Sequence, residues 1–313
     1  MHPLKSNQIR GNWATLLLPI NQDESIDFSR LSEELDMLVS VKPDGIYSNG
    51  TAGEFYNITE AEFDQVNEML ATKCEQGEVP FQIGVSHMSP IISLERLKRS
   101  VRYKPSAVQV VLPDWFKPTD EEAIAFLNKM AETAGDIGLV LYNPPHAKRN
   151  LSPAEILKLK QAVPAIVGIK VPSGDERWFE EMKPVAENIS VFIPGHFQAT
   201  AYQKGVGHGA YSNVACLNPK AAQIWSDSMK TDLDSALELE SRILNFFAAH
   251  ITSFITEENY ANQAVDKLLA AIGGWVPVGT RLRWPYRWVP ESEAERLRPI
   301  AKKYLPEFFI EIQ

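Results

Sequence analysis

Lys170 is the residue of this chain whose type and position most directly suggest covalent chemistry. It ends the run AIVGIK, residues 165–170, which has the composition of a buried strand. The low-dielectric walls of such a site disfavour a charged lysine and lower its pKa, so that neutral amine becomes available to form an imine with a carbonyl. The alternative is a lysine whose carbon chain is buried while its ammonium reaches solvent. Position alone leaves both interpretations open.

A phenol occupies the corresponding place one strand earlier. Tyr142 ends the apolar part of IGLVLYNPP, residues 137–145. Neighbouring strands of a parallel sheet lie about 4.8 Å apart, so this phenol could reach a substrate held on Lys170. There it could pass protons to and from a carbinolamine or a leaving hydroxyl. It could equally close the end of the sheet, with its hydroxyl bonded to water.

The segment NGTAGEF, residues 49–55, follows another apolar run and carries two glycines. Gly50 and Gly53 flank Thr51 and Ala52, and they permit a backbone in which successive amides point at a carboxylate. The Thr51 hydroxyl adds a donor and a proton carrier. An ordinary turn between a strand and a helix also uses glycines, so the motif alone does not decide the function.

Eight short apolar runs must position these side chains. Most of them precede a segment with helical spacing, and the runs are residues 13–19, 44–50, 80–86, 107–113, 137–145, 165–170, 189–195 and 207–213. The clearest helices are predicted at 27–40, 59–76, 93–101, 119–134, 152–161 and 175–187. Continuously apolar runs indicate a parallel sheet covered on both faces. The pattern predicts a (β/α)8 TIM barrel, because the first strand lacks the glycine-rich turn of an open nucleotide-binding sheet.

The barrel occupies only part of the chain. We expect residues 1–217 to form the core barrel, and residues 218–313 to supply its last helix and a C-terminal helical extension packed as one unit with it. In this fold the active site lies at the carboxyl ends of the strands. Three further polar or aromatic side chains at such ends are therefore candidate substrate-binding residues: Trp115, His196 and Ser212.

Composition excludes several classes of function. A net charge of −9 argues against a general nucleic-acid binder, although the segment RLRWPYR, residues 281–287, interleaves arginines with aromatic rings. No window has the length and apolarity of a membrane span, no secretory signal is visible, and the two cysteines are far apart, so we expect a cytoplasmic protein without disulfides. No metal-ligand spacing or phosphate-binding loop occurs, and we expect neither a metal nor another cofactor.

Several motifs together resemble the class I pyruvate-lyase family that includes dihydrodipicolinate synthase and N-acetylneuraminate lyase. Their order and spacing match over nearly the whole chain: GTAGE, YNPP, GIKVPSGD, GHFQATAYQKGVGHGAYSNVACLNP and GTRLRWP. The resemblance implies that Lys170 forms a Schiff base with pyruvate or another 2-oxo acid. It further implies that Tyr142 transfers protons, with Thr51 as its relay, and that the Thr51 and Ala52 amides hold the carboxylate. The backbone around Tyr211 would contact the substrate.

Three departures from the family pattern bear on the substrate. Dihydrodipicolinate synthases carry an arginine after the tyrosine of strand five, which clamps the carboxylate of the aldehyde substrate; here Ala147 and Lys148 stand in that place. A lysine lacks the bidentate fork of an arginine. The family's second relay tyrosine, contributed across a subunit interface, falls near Trp115, whose indole cannot pass a proton as a phenol does. Ala52 replaces the second hydroxyl residue after strand two.

We therefore expect a Schiff-base lyase that acts on pyruvate or a hydroxylated or aromatic 2-oxo acid by retro-aldol cleavage or dehydration. Trp115 favours an apolar or ring-bearing substrate, whereas His196 favours a polar one. The alternatives are a condensation of the dihydrodipicolinate synthase type, an inactive barrel that binds a 2-oxo acid as a sensor, and an unrelated barrel hydrolase or isomerase. The last would require paired carboxylates at strand ends, where only Glu54 and Asp114 are acidic. The expected partners are the small-molecule substrate and further copies of the chain, as a homodimer or homotetramer.

Overall fold

The computed structural model describes residues 1–312 and contains a closed barrel of parallel strands. Each strand pairs with the next in the chain, and the last pairs with the first. The strands are β1 (Gly11–Thr15), β2 (Gly45–Ser48), β3 (Phe81–Gly84), β4 (Ala107–Val111), β5 (Leu139–Tyr142), β6 (Ile166–Lys170), β7 (Ser190–Pro194) and β8 (Gly209–Ser212). This confirms the (β/α)8 TIM barrel predicted from the apolar runs.

Helices follow the strands and continue beyond the barrel. Within residues 1–312 they are α1 (Phe28–Val41), α2 (Glu60–Gly77), α3 (Pro90–Ser100), α4 (Asp120–Ala134), α5 (Pro153–Ala162), α6 (Glu176–Ala186), α7 (Gln198–Gln203), α8 (Val214–Leu217), α9 (Pro219–Ser228), α10 (Leu233–His250), α11 (Thr252–Thr256), α12 (Asn262–Gly273) and α13 (Glu291–Tyr304). Short 3-10 turns lie at Val101–Tyr103, Gly195–Phe197 and Pro306–Phe308. None of these helices combines the length and apolarity needed to cross a bilayer.

Local sequence explains where several helices begin. Thr59, Thr119 and Ser152 each cap a helix through the side-chain oxygen, and a glutamate three residues later bonds back to the capping residue. This reciprocal arrangement satisfies amides that the first turn leaves without partners. Helix α3 begins at Pro90, three residues before the predicted start, because a proline fits the first turn of a helix, where its missing N–H is not needed.

The first strand is shorter than its apolar run. It ends at Thr15, although Leu16, Leu17 and Leu18 after it are fully buried. The Leu17 amide donates to a carboxylate oxygen of Glu34 at 2.8 Å, instead of to a neighbouring strand. The chain therefore stays buried beyond the end of the strand.

Aromatic side chains fill the inside of the barrel. They form a buried cluster with a few aliphatic residues: Ile9, Trp13, Tyr47, Ala107, Val140, Phe192 and Tyr211. A larger and mainly aliphatic core lies between the strands and the helices. Because side chains alternate between the two sides of a strand, the barrel interior and the outer core draw on alternate residues.

The helices after β8 pack onto both the barrel wall and one another. Helix α9 contacts β1 and α1. Helix α10 contacts α7, while α12 lies against α8 and α13. This arrangement brings the end of α10, α11 and the start of α12 over the carboxyl ends of the strands, where they line the cavity described next.

Candidate active site

The two residues that sequence placed at neighbouring strand ends lie side by side. Tyr142 and Lys170 are paired across β5 and β6, and the Lys170 Nζ atom lies 4.4 Å from the centre of the Tyr142 ring. Two further rings, those of Tyr211 and Tyr47, have their centres 5.4 Å and 5.5 Å from the same Nζ atom. The amine is therefore surrounded by three phenols at the mouth of the barrel.

The protonation of Lys170 differs from the sequence-based expectation. Desolvation by burial lowers its pKa, as expected, but Tyr47, Tyr142 and Asp266 together outweigh this effect and raise the pKa above its ordinary value. Sequence could indicate the burial but not the acidic groups around the amine. The expectation of a partly neutral lysine was wrong in direction: the raised pKa keeps the Lys170 side chain as an ammonium.

The loop after β2 brings a hydroxyl and two free amides to the same place. The Thr51 hydroxyl lies 3.4 Å from the Tyr142 hydroxyl. In the part of the chain that the structure describes, the Thr51 and Ala52 amides have no hydrogen-bond acceptor. Such a pair of amides next to a cation is suited to holding a carboxylate. These are the groups that the sequence predicted for the carboxylate and the proton relay.

The backbone of this loop is held in place by close packing against β3 and by hydrogen bonds of Glu54. Asn49 and Glu54, which bracket it, have φ values of +53° and +49°. Gly84 of β3 passes so close beneath that a Cβ atom there would lie 2.3 Å from the Asn49 carbonyl oxygen. Glu54 accepts from the Lys267 amine at 2.8 Å and from the Arg283 amide at 3.2 Å. Glu54 therefore braces its loop.

Lys170 opens into a cavity of about 280 Å³ between the strand ends and the C-terminal helices. The barrel side contributes Thr51, Ala52, Tyr142 and Tyr211, together with His196 and Asn213 from the loops after β7 and β8. The helical side contributes Phe247, Ile251, Thr252, Ile255, Asn262, Val265 and Asp266. The cavity thus has a phenol-lined floor and a second wall formed by residues far later in the chain.

His196 lies in this cavity as a neutral group. Its Nδ1 atom is 2.9 Å from the Asn213 side-chain nitrogen, and burial lowers the pKa of the imidazole below its ordinary value. Its ring is tilted by 49° to the ring of Phe247, and the two ring centres are 5.4 Å apart. The imidazole is therefore held in place and is suited to hydrogen bonding with a polar substrate group.

Asp266 and Tyr47 belong to the site but were missed by sequence reasoning. Burial raises the pKa of Asp266 to about 7 against the opposing effect of Lys170, and burial raises the pKa of Tyr47 to about 12. Alternation along β2 would have pointed Tyr47 into the barrel, which was an available signal. Asp266 carries no comparable signal, because it lies on a helix 54 residues after β8 ends (266 minus 212).

Three predicted binding residues do not line this cavity. Gly50 lies against the Tyr47 ring, where a Cβ atom would approach a ring carbon to 2.6 Å. The Ser212 hydroxyl accepts from the Ala215 amide at 3.0 Å and so supports the turn into α8. Trp115 is 65% exposed on the loop after β4, away from Lys170. Close packing, local capping and loop direction explain these placements.

The segment after Tyr142 offers no free cation to the cavity. The Lys148 amine donates to the Trp115 carbonyl at 2.5 Å, and its amide donates to Asp114 at 2.7 Å. The next arginine, Arg149, is buried and binds Asp120, Glu155 and the Pro118 carbonyl. The residues that could have replaced the missing arginine are thus committed elsewhere. Among residues 1–312, no group of three acidic, histidine or cysteine side chains is arranged to bind a metal ion.

Comparisons with known proteins agree with this architecture. The model of the dihydrodipicolinate synthetase family matches residues 8–304. The 4-hydroxy-tetrahydrodipicolinate synthase of Ralstonia nicotianae is 26% identical over 274 residues, which cover 85% of this chain and 90% of that protein. YagE, a prophage protein of the dihydrodipicolinic acid synthase family from E. coli K12 in complex with pyruvate, superposes with a TM-score of 0.81 at 19% identity, over 95% of this chain and 98% of that one. N-acetylneuraminate lyase from Fusobacterium nucleatum superposes with a TM-score of 0.80 at 20% identity, over 95% of this chain and 99% of that one. At these identities the superpositions show the fold.

Proposed function

We propose that this chain, which belongs to the dihydrodipicolinate synthetase family, is a lyase that forms a Schiff base between Lys170 and pyruvate or a hydroxylated 2-oxo acid. The relatives named above are synthases and a lyase, so that an enzyme of this general kind is expected. One observation carries the finer proposal: the Lys170 amine lies 4.4 Å from the Tyr142 ring, in one cavity with the loop that bears the free amides. That arrangement supplies a nucleophile, a proton carrier and a carboxylate site together.

The first step joins the substrate to the enzyme. The Thr51 and Ala52 amides hold the carboxylate of the 2-oxo acid, and Lys170, after losing one proton, attacks the C2 carbonyl carbon. The resulting carbinolamine hydroxyl takes a proton from Tyr142 and leaves as water, while the nitrogen lone pair forms the C=N bond of a protonated imine. Thr51, 3.4 Å from the Tyr142 hydroxyl, relays to the phenoxide a proton from solvent, which replaces the one that Lys170 released, so that both hydroxyls are protonated again.

The second step uses the imine as an electron sink. In the cleavage direction, the C3–C4 bond of a 4-hydroxy-2-oxo acid breaks and its electron pair moves into the protonated imine, giving an enamine. The C4 hydroxyl loses its proton as the aldehyde forms. Protonation of the enamine at C3 and hydrolysis of the imine then release pyruvate and regenerate Lys170.

A condensation of the synthase type is the second candidate, because the curated relative from Ralstonia bears that name. Against it, Ala147 replaces the expected arginine, and Lys148 and Arg149 are engaged with the loop after β4 and with α4. Low identity to that relative also fits a different substrate. We therefore place cleavage or dehydration of a hydroxylated 2-oxo acid first.

Reductive trapping tests the Schiff base. The protein is incubated with pyruvate and sodium borohydride, and the adduct is mapped by mass spectrometry. We expect one reduced pyruvate unit on Lys170, and none in Lys170→Arg. Lys160→Arg is the matched control, because Lys160 is also partly buried but its amine donates to the Pro164 and Ile166 carbonyls. An adduct on another lysine, or none in the unmodified protein, would contradict the proposal.

Turnover separates a lyase from an inactive binding protein. Hydroxylated 2-oxo acids of four to six carbons are offered to the protein, and released pyruvate is followed with a coupled assay. We expect pyruvate release that disappears in Lys170→Arg. A Lys170 adduct without turnover of any member of the series would favour the sensor alternative.

A further inference from the structure

We propose that Asp266 is a catalytic residue that exchanges a proton with the C4 hydroxyl of a 4-hydroxy-2-oxo acid whose remaining chain is uncharged. In the cleavage direction it accepts this proton as the C3–C4 bond breaks, and in the condensation direction it donates the proton to the aldehyde oxygen. This inference rests on the proposed function, because the substrate must be bound to Lys170 as an imine.

Asp266 differs from three fully buried acids in having no structural partner. Glu34 accepts from the Leu17 amide at 2.8 Å, Glu54 accepts from Lys267 at 2.8 Å, and Glu240 accepts from the Ala199 amide at 2.7 Å. Within residues 1–312, no hydrogen bond reaches the Asp266 carboxylate, which is open to the cavity. Because this carboxylate is partly accessible and lines the cavity without a protein partner, it is available to hydrogen-bond to a bound ligand.

Its neighbours on the helix cannot take that role. Lys267 follows Asp266 directly, but its amine faces the other way, to Glu54 and to the Arg281 carbonyl at 2.6 Å. Asn262, one helical turn before Asp266, lines the same cavity. Helix α12 therefore presents one polar face, Asn262 and Asp266, to a substrate, and an opposite face to the protein interior.

The position of Asp266 suits the reacting part of an imine-bound substrate. Lys170 fixes C2 at the barrel floor, and the amides of Thr51 and Ala52 fix the carboxylate on the same side. The chain from C3 onward must then extend into the rest of the cavity, towards α10, α11 and α12. Asp266 is the acidic side chain on that wall. When the C3–C4 bond breaks, the electron pair enters the imine and the hydroxyl proton passes to the carboxylate, so atoms and charges balance.

The charges of the cavity determine whether the substrate chain beyond C4 is neutral or charged. Among the lining residues that the structure describes, Lys170 is charged at neutral pH and Asp266, whose pKa is about 7, is charged in part. Burial lowers the pKa of His196 and keeps its imidazole neutral. The cationic imine on Lys170 is neutralised by the substrate's own C1 carboxylate, and no arginine lines the far wall. A second carboxylate would meet Asp266 without a compensating cation, at an energetic cost. A neutral hydroxylated tail can hydrogen-bond to Asp266, Asn262 and Thr252.

The pKa of Asp266, about 7, is consistent with proton exchange near neutrality. The titratable groups that share the cavity with Asp266 include Lys170 on β6, Tyr47 on β2, Cys216 on α8 and His196 after β7. Lys267 on α12 itself binds Glu54, and Arg298 on α13 binds the Ala271 and Ile272 carbonyls. Lys170 is the one that opposes the rise in the pKa of Asp266.

The experiment compares two aldehydes of equal size in the condensation direction. Pyruvate is combined with glycolaldehyde, which is neutral and hydroxylated, or with glyoxylate, which is anionic, and product formation is measured by chromatography. In Asp266→Asn we expect addition to glycolaldehyde to fall about 100-fold or more. We expect addition to glyoxylate to fall less, because the substitution also removes a repelling charge. Borohydride trapping of pyruvate on Lys170 should stay within about threefold of the unmodified protein, which shows that imine formation and fold survive.

The pH profile supplies a second readout. In the unmodified protein, addition to glycolaldehyde requires protonated Asp266, so its rate relative to trapping should fall as pH rises through about 7. In Asp266→Asn this decrease in rate with rising pH should be absent. Asp234→Asn, an exposed aspartate on α10, is the matched control and should change neither rate nor profile.

Distinct outcomes separate the two proposals. Absence of a Lys170 adduct in the unmodified protein contradicts the Schiff-base function itself. If the Lys170 adduct forms but glycolaldehyde is not added, both the proton-transfer role of Asp266 and the preference for an uncharged substrate chain are contradicted. The assignment also fails if Asp266→Asn keeps addition within threefold, or if it loses trapping and addition together, since Asp266 would then only support Lys170.

Discussion

At the scale of single residues, the Tyr142 phenol is the group that a conservative substitution isolates best. Its ring lies beside the Lys170 amine, and its hydroxyl lies 3.4 Å from that of Thr51. Tyr142→Phe keeps the ring and removes the proton carrier. We expect turnover of a hydroxylated 2-oxo acid, and the rate of borohydride trapping, to fall about 100-fold or more. Steady-state kinetics and timed trapping measure the two rates.

A tyrosine remote from the site serves as its control. Tyr202 is 42% exposed on α7 and does not line the cavity. Tyr202→Phe should leave both rates unchanged. If Tyr142→Phe retained more than a third of the original turnover, proton transfer would have to be assigned to another group.

Asp266 also makes a residue-scale prediction about stability. Because burial raises its pKa from 3.8 to about 7, the folded protein binds this proton more tightly than the unfolded chain does. Stability therefore decreases as pH rises between these values, and the cost is fully present above pH 7. Asp266→Asn should raise the free energy of unfolding at pH 8 by roughly 1 to 3 kcal/mol and have little effect near pH 4. Urea denaturation at the two pH values measures this difference, and an equal change at both would contradict the pKa argument.

The sequence predicted part of this site, and the limits have physical causes. Lys170 and Tyr142 were identifiable because they end apolar runs, and strand ends meet at one edge of a barrel. Asp266 was not, because a single acid in the helix NQAVDKLLAAIG does not show which face turns to a cavity. The pKa of Lys170 was misjudged for a related reason: burial follows from a strand, but neighbouring acids follow from the closed fold.

At the scale of elements, one buried ion pair joins the C-terminal helices to the loop of the carboxylate site. The Lys267 amine on α12 and the Glu54 carboxylate after β2 are 2.8 Å apart, and their side chains are 0% and 1% exposed. Glu54→Gln leaves a buried cation without its counterion, which typically costs 3 to 5 kcal/mol in stability. We expect a loss of about 3 kcal/mol in urea denaturation. We also expect slower trapping at Lys170, because the loop bearing Thr51 loses its brace.

A double variant and a surface pair check this explanation. Glu54→Gln combined with Lys267→Met should recover most of the stability lost in Glu54→Gln, because no buried charge remains. Glu95→Gln, which breaks the exposed pair with Lys98, should cost less than about 1 kcal/mol. If the double variant were less stable than Glu54→Gln alone, the uncompensated charge would not be the cause.

Element boundaries show where local sequence is informative. The ends of β5 and β6 at Tyr142 and Lys170 agree with the predicted ends, because Asn143 and Pro144 follow Tyr142 and a proline follows Lys170 after one residue. The end of β1 does not, because Leu16, Leu17 and Leu18 remain buried while the Leu17 amide bonds to Glu34. Apolar composition reports burial, whereas strand pairing depends on partners distant in sequence.

At the scale of the whole molecule, the cavity is built from two parts of the chain. The barrel supplies the proposed nucleophile and the proposed carboxylate site, and helices α10, α11 and α12 supply the opposite wall. Substitutions in the helical wall can therefore alter the cavity without altering the residues at the strand ends. Family motifs lie mainly on the barrel strands and their loops, which explains why the sequence indicated the reaction class better than the substrate.

We propose that the chain self-associates as a homodimer or homotetramer. Four large apolar side chains are exposed on α3, the loop before it and the loop after β4: Met88, Ile91, Trp115 and Phe116, at 56%, 68%, 65% and 78%. The two loops are adjacent, since Met88 and Asp114 line one cavity. Exposed apolar surface of this kind indicates a protein interface.

Replacing Trp115 and Phe116 together with aspartate should therefore shift the protein to a smaller species in size-exclusion chromatography with light scattering, because two charges enter an apolar contact. Ile224→Asp is the matched control, since Ile224 is 56% exposed on α9 and should leave the assembly unchanged. If the doubly substituted protein kept the mass of the original, these loops would not form the interface. If the original were itself a monomer, the 2-oxo acid site would have to work within one chain, as the positions of Lys170, Tyr142 and Asp266 in a single cavity allow.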